Sequence, residues 1–105
     1  MSPKLTVRVI TEAEAELAQA IQWYDKRRPG LGRDLLLEVN AKVNQIAEAP
    51  ERFPVFDFPF RVAHLQKFPY SLPFRVDDDT VTIFAVMHQS KKPGRWLERQ
   101  HQAEP

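Results

Sequence analysis

Arg75 and His88 are the two side chains of this sequence best suited to do chemistry together. An imidazole exchanges protons near neutral pH, and a guanidinium holds developing negative charge. In the strand alternation set out below, both fall on one sheet face. His64 and His101 carry no comparable signal, and no two of the three histidines form a close pair. The chain has no cysteine, which removes disulfides, thiolate nucleophiles and cysteine-bound zinc together. Three scattered histidines do not build a metal site. Neither a metal nor a cofactor is expected.

The elements that must position these residues follow from periodicity. Leu5 to Ile10 alternates apolar and polar residues and reads as a strand. Thr11, with Glu14 three residues on, has the pattern of a capping box, and Glu12, Glu14 and Glu16 place negative charge where a helix N-terminus favours it. Ala13, Leu17, Ala20, Ile21 and Tyr24 then recur at helical spacing to about Arg28. Pro29, Gly30 and Gly32 break the run. A second stripe through Leu31, Leu35, Val39, Val43 and Ile46 stops at Ala49 and Pro50, so two helices form an antiparallel hairpin. Residues 50–60, with three prolines among aromatics, read as an irregular crossing segment.

From Arg61 the period becomes two, with strands at about Arg61–Lys67, Tyr70–Val76 and Thr80–His88, the last two joined by a turn at Asp77, Asp78 and Asp79. Pairing Phe74 with Ile83 and Leu72 with Ala85 turns Tyr70, Leu72, Phe74, Val76, Val81, Ile83, Ala85 and Met87 toward the helices. The other face then holds Ser71, Pro73, Arg75, Thr82, Phe84, Val86 and His88. Its apolar groups call for a cover, supplied by the tail from Lys91 to Arg99 around Trp96 or by a partner. Pro73 removes a ladder donor, so its strand must carry a bulge or leave that position unpaired, and the register beyond it is open. The expected fold class is α+β, a helical hairpin on a four-stranded antiparallel sheet.

With 105 residues and 43% hydrophobic content, including seven Phe, the chain supports one core. Residues 1–99 are read as a single domain and 100–105 as a loose tail. No apolar run approaches the roughly 18 residues of a membrane span, and the N-terminus lacks a signal-peptide pattern, so a cytoplasmic protein is expected. Residues 1–57 carry eight basic and nine acidic side chains and 58–105 carry seven and five, a basic lean that suits an acidic partner or nucleic acid.

Five strings lie in order along residues 5–99: Trp23-Tyr24; Pro29-Gly30-Leu31-Gly32; Pro50 with Phe53-Pro54; Phe68-Pro69-Tyr70; and Ala85-Val86-Met87-His88 followed by Lys92-Pro93, Trp96 and Arg99. With the order strand, helical hairpin, meander, they resemble the RelE/ParE toxin superfamily of type II toxin–antitoxin modules, which serve plasmid stabilisation or stress responses. The resemblance implies a toxin neutralised by a cognate antitoxin. One branch poisons DNA gyrase and needs no catalytic residue. The other cuts messenger RNA on the ribosome, which requires a base, a proton donor and cations around a 2′-hydroxyl attack.

Arg61, Lys67, Arg75 and His88 could supply that second chemistry, with His88 and Arg75 as the catalytic pair. The sparse cluster around them, beside Pro73, Phe84 and Val86, favours the ParE-like branch and a non-enzyme. A binding module of the same fold without toxicity is the further alternative. The antitoxin is expected to lay an acidic, apolar segment along the mixed face and helical groove. It would cover Phe84 and Val86 and pair with Arg75 or Arg61. The residues expected to meet antitoxin or target are Arg61, Lys67, Pro73, Arg75, Phe84, Val86, His88, Lys91 and Trp96.

Overall fold

The computed structural model describes residues 4–91 and 94–103, and side chains as far as residue 100. Lys92, Pro93 and the His101 side chain, named above, lie outside the described residues. Strand β1 (Thr6–Val9) leads into helices α1 (Thr11–Arg27) and α2 (Leu31–Glu48). A one-turn 3-10 helix (Pro50–Arg52) follows, then β2 (Arg61–His64), β3 (Tyr70–Asp77), β4 (Thr80–Ile83), the two-residue β5 (Met87–His88) and a 3-10 helical strap (Arg95–Ala103). The strap continues beyond residue 99, where the sequence reading ends the domain.

The helix-forming signals act where expected, with two changes. Glu14 donates its amide to the carbonyl of Ile10, the N-cap of α1, and no side chain caps that terminus. Thr11 is therefore already helical and the expected capping box does not form. At the interhelical turn Gly30 takes φ +91°, a left-handed conformation that a β-carbon disfavours. Gly32 answers a different need. A β-carbon there would sit 2.5 Å from the Ile21 carbonyl oxygen, and its amide donates to Asp25 Oδ1 at 2.8 Å. The two helices can approach only because that residue has no side chain.

The sheet is mixed, with order β1-β4-β3-β2 and β5 paired to β3. β1 runs parallel to β4, with Val7 opposite Val81, which corrects the expected all-antiparallel sheet. Alternation reports which face a residue takes and is blind to strand direction. The long crossover through the helical hairpin brings the chain back to place β1 on the free edge of β4.

Phe74 pairs with Ile83 as expected, but Leu72 does not pair with Ala85. Instead Met87 stands opposite Ser71 and His88 opposite Tyr70, so Ala85 and Val86 together face the single residue Leu72. This is a one-residue bulge. Its cause is Pro73. The Phe84 amide donates to the Pro73 carbonyl at 2.9 Å, and the reciprocal bond cannot form because proline has no N–H. The expected single strand Thr80–His88 is therefore two short ones, and every side chain past the bulge changes face.

Two apolar clusters result. On the helix side, Leu35, Ile46, Leu72, Phe74, Val81 and Ile83 are sealed, and Val86 joins them. On the other side Phe60, Val62, Phe84, Ala85 and Trp96 pack with Ile10 and Ala13 at the start of α1. The tail is thus the cover for the mixed face. Trp96 is 4% exposed and lies 4.9 Å from the Phe60 ring, and Phe60 lies 5.4 Å from Phe84.

Candidate functional site

The bulge separates the two residues expected to act together. His88 now shares the helix-side face with Tyr70, ring to ring at 5.2 Å, while Arg75 stays on the opposite face of β3. Arg75 is also occupied. Its Nε donates to Asp77 Oδ2 at 2.8 Å and its guanidinium lies over Phe60 and Phe84, 5.6 and 5.3 Å from their centroids. His88 Nδ1 accepts the Ser90 amide at 3.0 Å. The expected placement of Arg75 and His88 on one face is corrected, since a one-residue slip inverts the alternation.

Other expected contact residues scatter. Arg61 turns back to the Phe53 carbonyl oxygen at 2.6 Å. Lys67 is exposed, and its amide and that of Gln66 donate to the Glu38 carboxylate. Pro73, Phe84, Val86 and Trp96 are buried by the chain itself. Phe84 is sealed beneath the strap, whereas Pro73 and Trp96 still line a groove of about 400 Å3 on that face. His64 lies with Nδ1 2.6 Å from Ser71 Oγ.

The bulge organises a different constellation. With no donor on Pro73, the Phe84 carbonyl accepts from Arg99 Nη1 at 3.0 Å. The Val86 amide, displaced from the ladder, donates to Glu16 Oε1 at 3.1 Å. Arg99 and Glu16 then meet in a two-pronged ion pair at 2.9 and 3.0 Å. Two side chains 83 positions apart thus satisfy the backbone groups that the bulge frees and tie the strap to α1. The hydrogen bond to Glu16 raises the Arg99 pKa above its ordinary value, with burial opposing and the charges of Glu16 and Glu12 assisting.

Beside this pair a groove of about 540 Å3 opens along α1, next to β5 and the start of the strap. It is lined by Trp23 and Tyr24 of α1, by the paired Tyr70 and His88, and by Lys91 and Arg95, together with Glu16 and Arg99. Trp23 is 50% exposed, and its ring carries the Arg27 guanidinium at 4.0 Å. Tyr24 is held edge-on by Trp23 and Phe68. Lys91 was expected at a contact surface, whereas Glu16, Trp23 and Arg95 were not. Glu16 read as a helix-terminus charge, and Trp23 entered only as part of the Trp23-Tyr24 string. Only its half-exposed state identifies Trp23, and exposure of one helical aromatic is not written in spacing.

Tyr24 and Tyr70 are the only two tyrosines. Burial pushes both phenols above the ordinary 10.0, and Tyr24 adds to the effect on Tyr70. The raised native values mean that the unfolded chain ionises first. The stabilisation is therefore complete below pH 10 and is lost as pH rises through the native values. An ultraviolet titration of tyrosinate should show no native phenol at the ordinary midpoint and both of them there in denaturant. A native transition of one tyrosine at 10.0 would contradict this packing.

Among the described residues no helix is long and apolar enough to cross a membrane, and no cluster of three or more His, Asp or Glu could hold a metal. Residues 7–93 match the model of the family described as ParE toxin of type II toxin-antitoxin system, parDE. Toxin ParE2 of Mycobacterium tuberculosis, in strains H37Rv and CDC 1551, is 30% identical over 88 residues, covering 83% of this chain and 84% of the relative. The fold is similar to a chain solved in the chromosomal ParDE TA system from P. aeruginosa, with TM-score 0.72, 19% identity, and coverage of 83% of this chain and 98% of that one. The chain belongs to the ParE toxin family of type II toxin–antitoxin systems.

Proposed function

We propose that this ParE-family chain arrests growth by inhibiting DNA gyrase in the cytoplasm and is neutralised by a cognate antitoxin. The observation that carries the choice of target is the separation of Arg75 from His88. The pair most suited to RNA cleavage stands on opposite sheet faces, and Arg75 is engaged by Asp77. A nuclease must hold base, acid and cations around one phosphate, within hydrogen-bond reach. Inhibition of an enzyme by binding needs a surface instead, and the groove beside α1 is one.

The test is induction of the chain in bacteria without antitoxin, following labelled thymidine and methionine incorporation through the first minutes. Thymidine incorporation should fall first, and the purified chain should block supercoiling by gyrase. Earlier collapse of methionine incorporation would assign the chain to ribosome-dependent cleavage. If neither fell, a non-toxic binding module would be the better reading.

A further inference from the structure

We infer that two copies of this chain pair about a two-fold axis, each inserting Phe58 into the mixed-face groove of the other and bringing Asp57 to its Lys91. The pairing stands whether or not the chain is toxic.

Three observations select a second copy as the occupant. The first is an exposed ring on a fixed turn. Phe58 is 81% exposed and Val55 50%, so two of the five exposed large hydrophobic side chains among the described residues lie on one loop. That loop is closed on itself and on β2. The Phe56 amide donates to the Phe60 carbonyl at 2.8 Å, the Phe60 amide to the Asp57 carbonyl at 3.1 Å, and the Val62 amide to the Pro54 carbonyl at 3.1 Å. Asp57 takes φ +52°, a left-handed conformation that aspartate tolerates better than most residues. A ring held out by a preformed turn loses little conformational freedom when a partner covers it.

The second observation is the receptor. Val62, Pro73 and Trp96 give the groove of about 400 Å3 apolar walls, and its His64 and Ser71 are hydrogen-bonded to each other. Among the described residues no carboxylate lines it, and its one ammonium, on the exposed Lys91, forms no ion pair. The complementary occupant is an apolar side chain with a carboxylate beside it. Asp57-Phe58 is such a pair, and Asp57 is likewise exposed and without an ion pair among the described residues.

The third observation is where the two halves lie. Val55 and Phe56 help to line the groove, and Phe58 follows two residues later. The ring does not fill its own groove, since it stands exposed. Knob and receptor thus belong to one surface, which is the condition for a self-complementary contact that closes as a pair rather than growing as a chain. Two rings of about 150–250 Å2 each, with the walls that meet them, fall short of the roughly 1,200–2,000 Å2 that stable interfaces bury, so the pair forms only at high concentration.

Sedimentation equilibrium of the purified full-length chain tests this between about 1 μM and 1 mM, the span of weak association. The mass should rise from 12.2 kDa towards twice that value. Phe58→Ser should raise the concentration of half-association by about a hundredfold or more, because the pair loses both rings. Lys91→Glu should raise it by about tenfold or more through repulsion by Asp57, and adding Asp57→Asn, which suits the same left-handed turn, should recover part of that loss. Phe58 and Lys91 are exposed, so each variant should melt with the wild type at the dilute end of the range.

A wild type that stays at 12.2 kDa throughout would overturn the pairing and leave the groove to a different occupant. Association of Phe58→Ser at the wild-type concentration would overturn it as well, and growth past twice the monomer mass would replace the two-fold exchange by an open contact. No recovery on adding Asp57→Asn would overturn the placement of Asp57 against Lys91.

Discussion

Arg99→Ala should lower the stability of this chain by about 2–3 kcal/mol and shift Trp96 emission to the red, without any partner present. The substitution strips the Phe84 carbonyl of its donor and leaves Glu16 facing the Val86 amide alone. A buried polar group left unmet costs about 1–3 kcal/mol, and breaking a buried ion pair costs about 3–5. The Arg99 and Glu16 side chains keep 23% and 25% exposure, which places the expected loss below the upper figure. In a domain of this size, that loss lowers Tm by roughly 10 °C or more. Glu16→Gln should cost only about 1 kcal/mol, because the amide oxygen still accepts one hydrogen bond. Thermal melts and urea titrations of the two proteins give the order. Equal stability of Arg99→Ala and wild type would mean that the strap is held by Trp96 alone.

Phe84→Ala should be more damaging, at about 3–5 kcal/mol, the usual cost of emptying a buried aromatic site. Phe84 is fully buried between Phe60 and the start of α1, and Arg75 lies over its ring. The measurement separates two roles for the same residue. A contact for a partner would tolerate truncation in the free chain and fail only in the complex. A core residue fails in the free chain, and urea unfolding of the isolated protein should show it. A loss under about 1 kcal/mol would return Phe84 to the surface and reopen its part of the mixed face as an interface.

What the sequence carries and what it hides divide along physical lines. The two apolar stripes ending at Arg28 and Ala49, and the alternation of Tyr70–Val76, each depend on local spacing, and both helices and β3 stand where that spacing puts them. The direction of β1 depends on which edge of the sheet is free once four other elements have packed, and alternation contains no such information. Pro73 is the intermediate case. Its missing N–H is legible, and so is the need for a bulge or an unpaired position. The answer depends on Arg99 and Glu16, which no spacing rule links. The error that follows is large for its size, because one extra residue moves Val86 and His88 to the helix side and dissolves the expected site. The tail as cover was legible from Trp96, since an apolar face needs one. The groove was not, because its two walls become neighbours only after the slip.

The parallel pairing of β1 with β4 also sets an order of events during synthesis. Val9 pairs with Ile83, so 74 residues (83 − 9) must follow the strand before its partner exists. At roughly 5–20 residues per second this is a wait of about 4–15 s. The hairpin of α1 and α2 is made of local contacts and can form during that interval, whereas the sheet edge must wait for Ile83 and the Glu16–Arg99 tie for Arg99. A protein that recognises α1 by itself can therefore engage the nascent polypeptide. One that needs both walls of the groove meets its surface only seconds later, when the strap has closed against the helix.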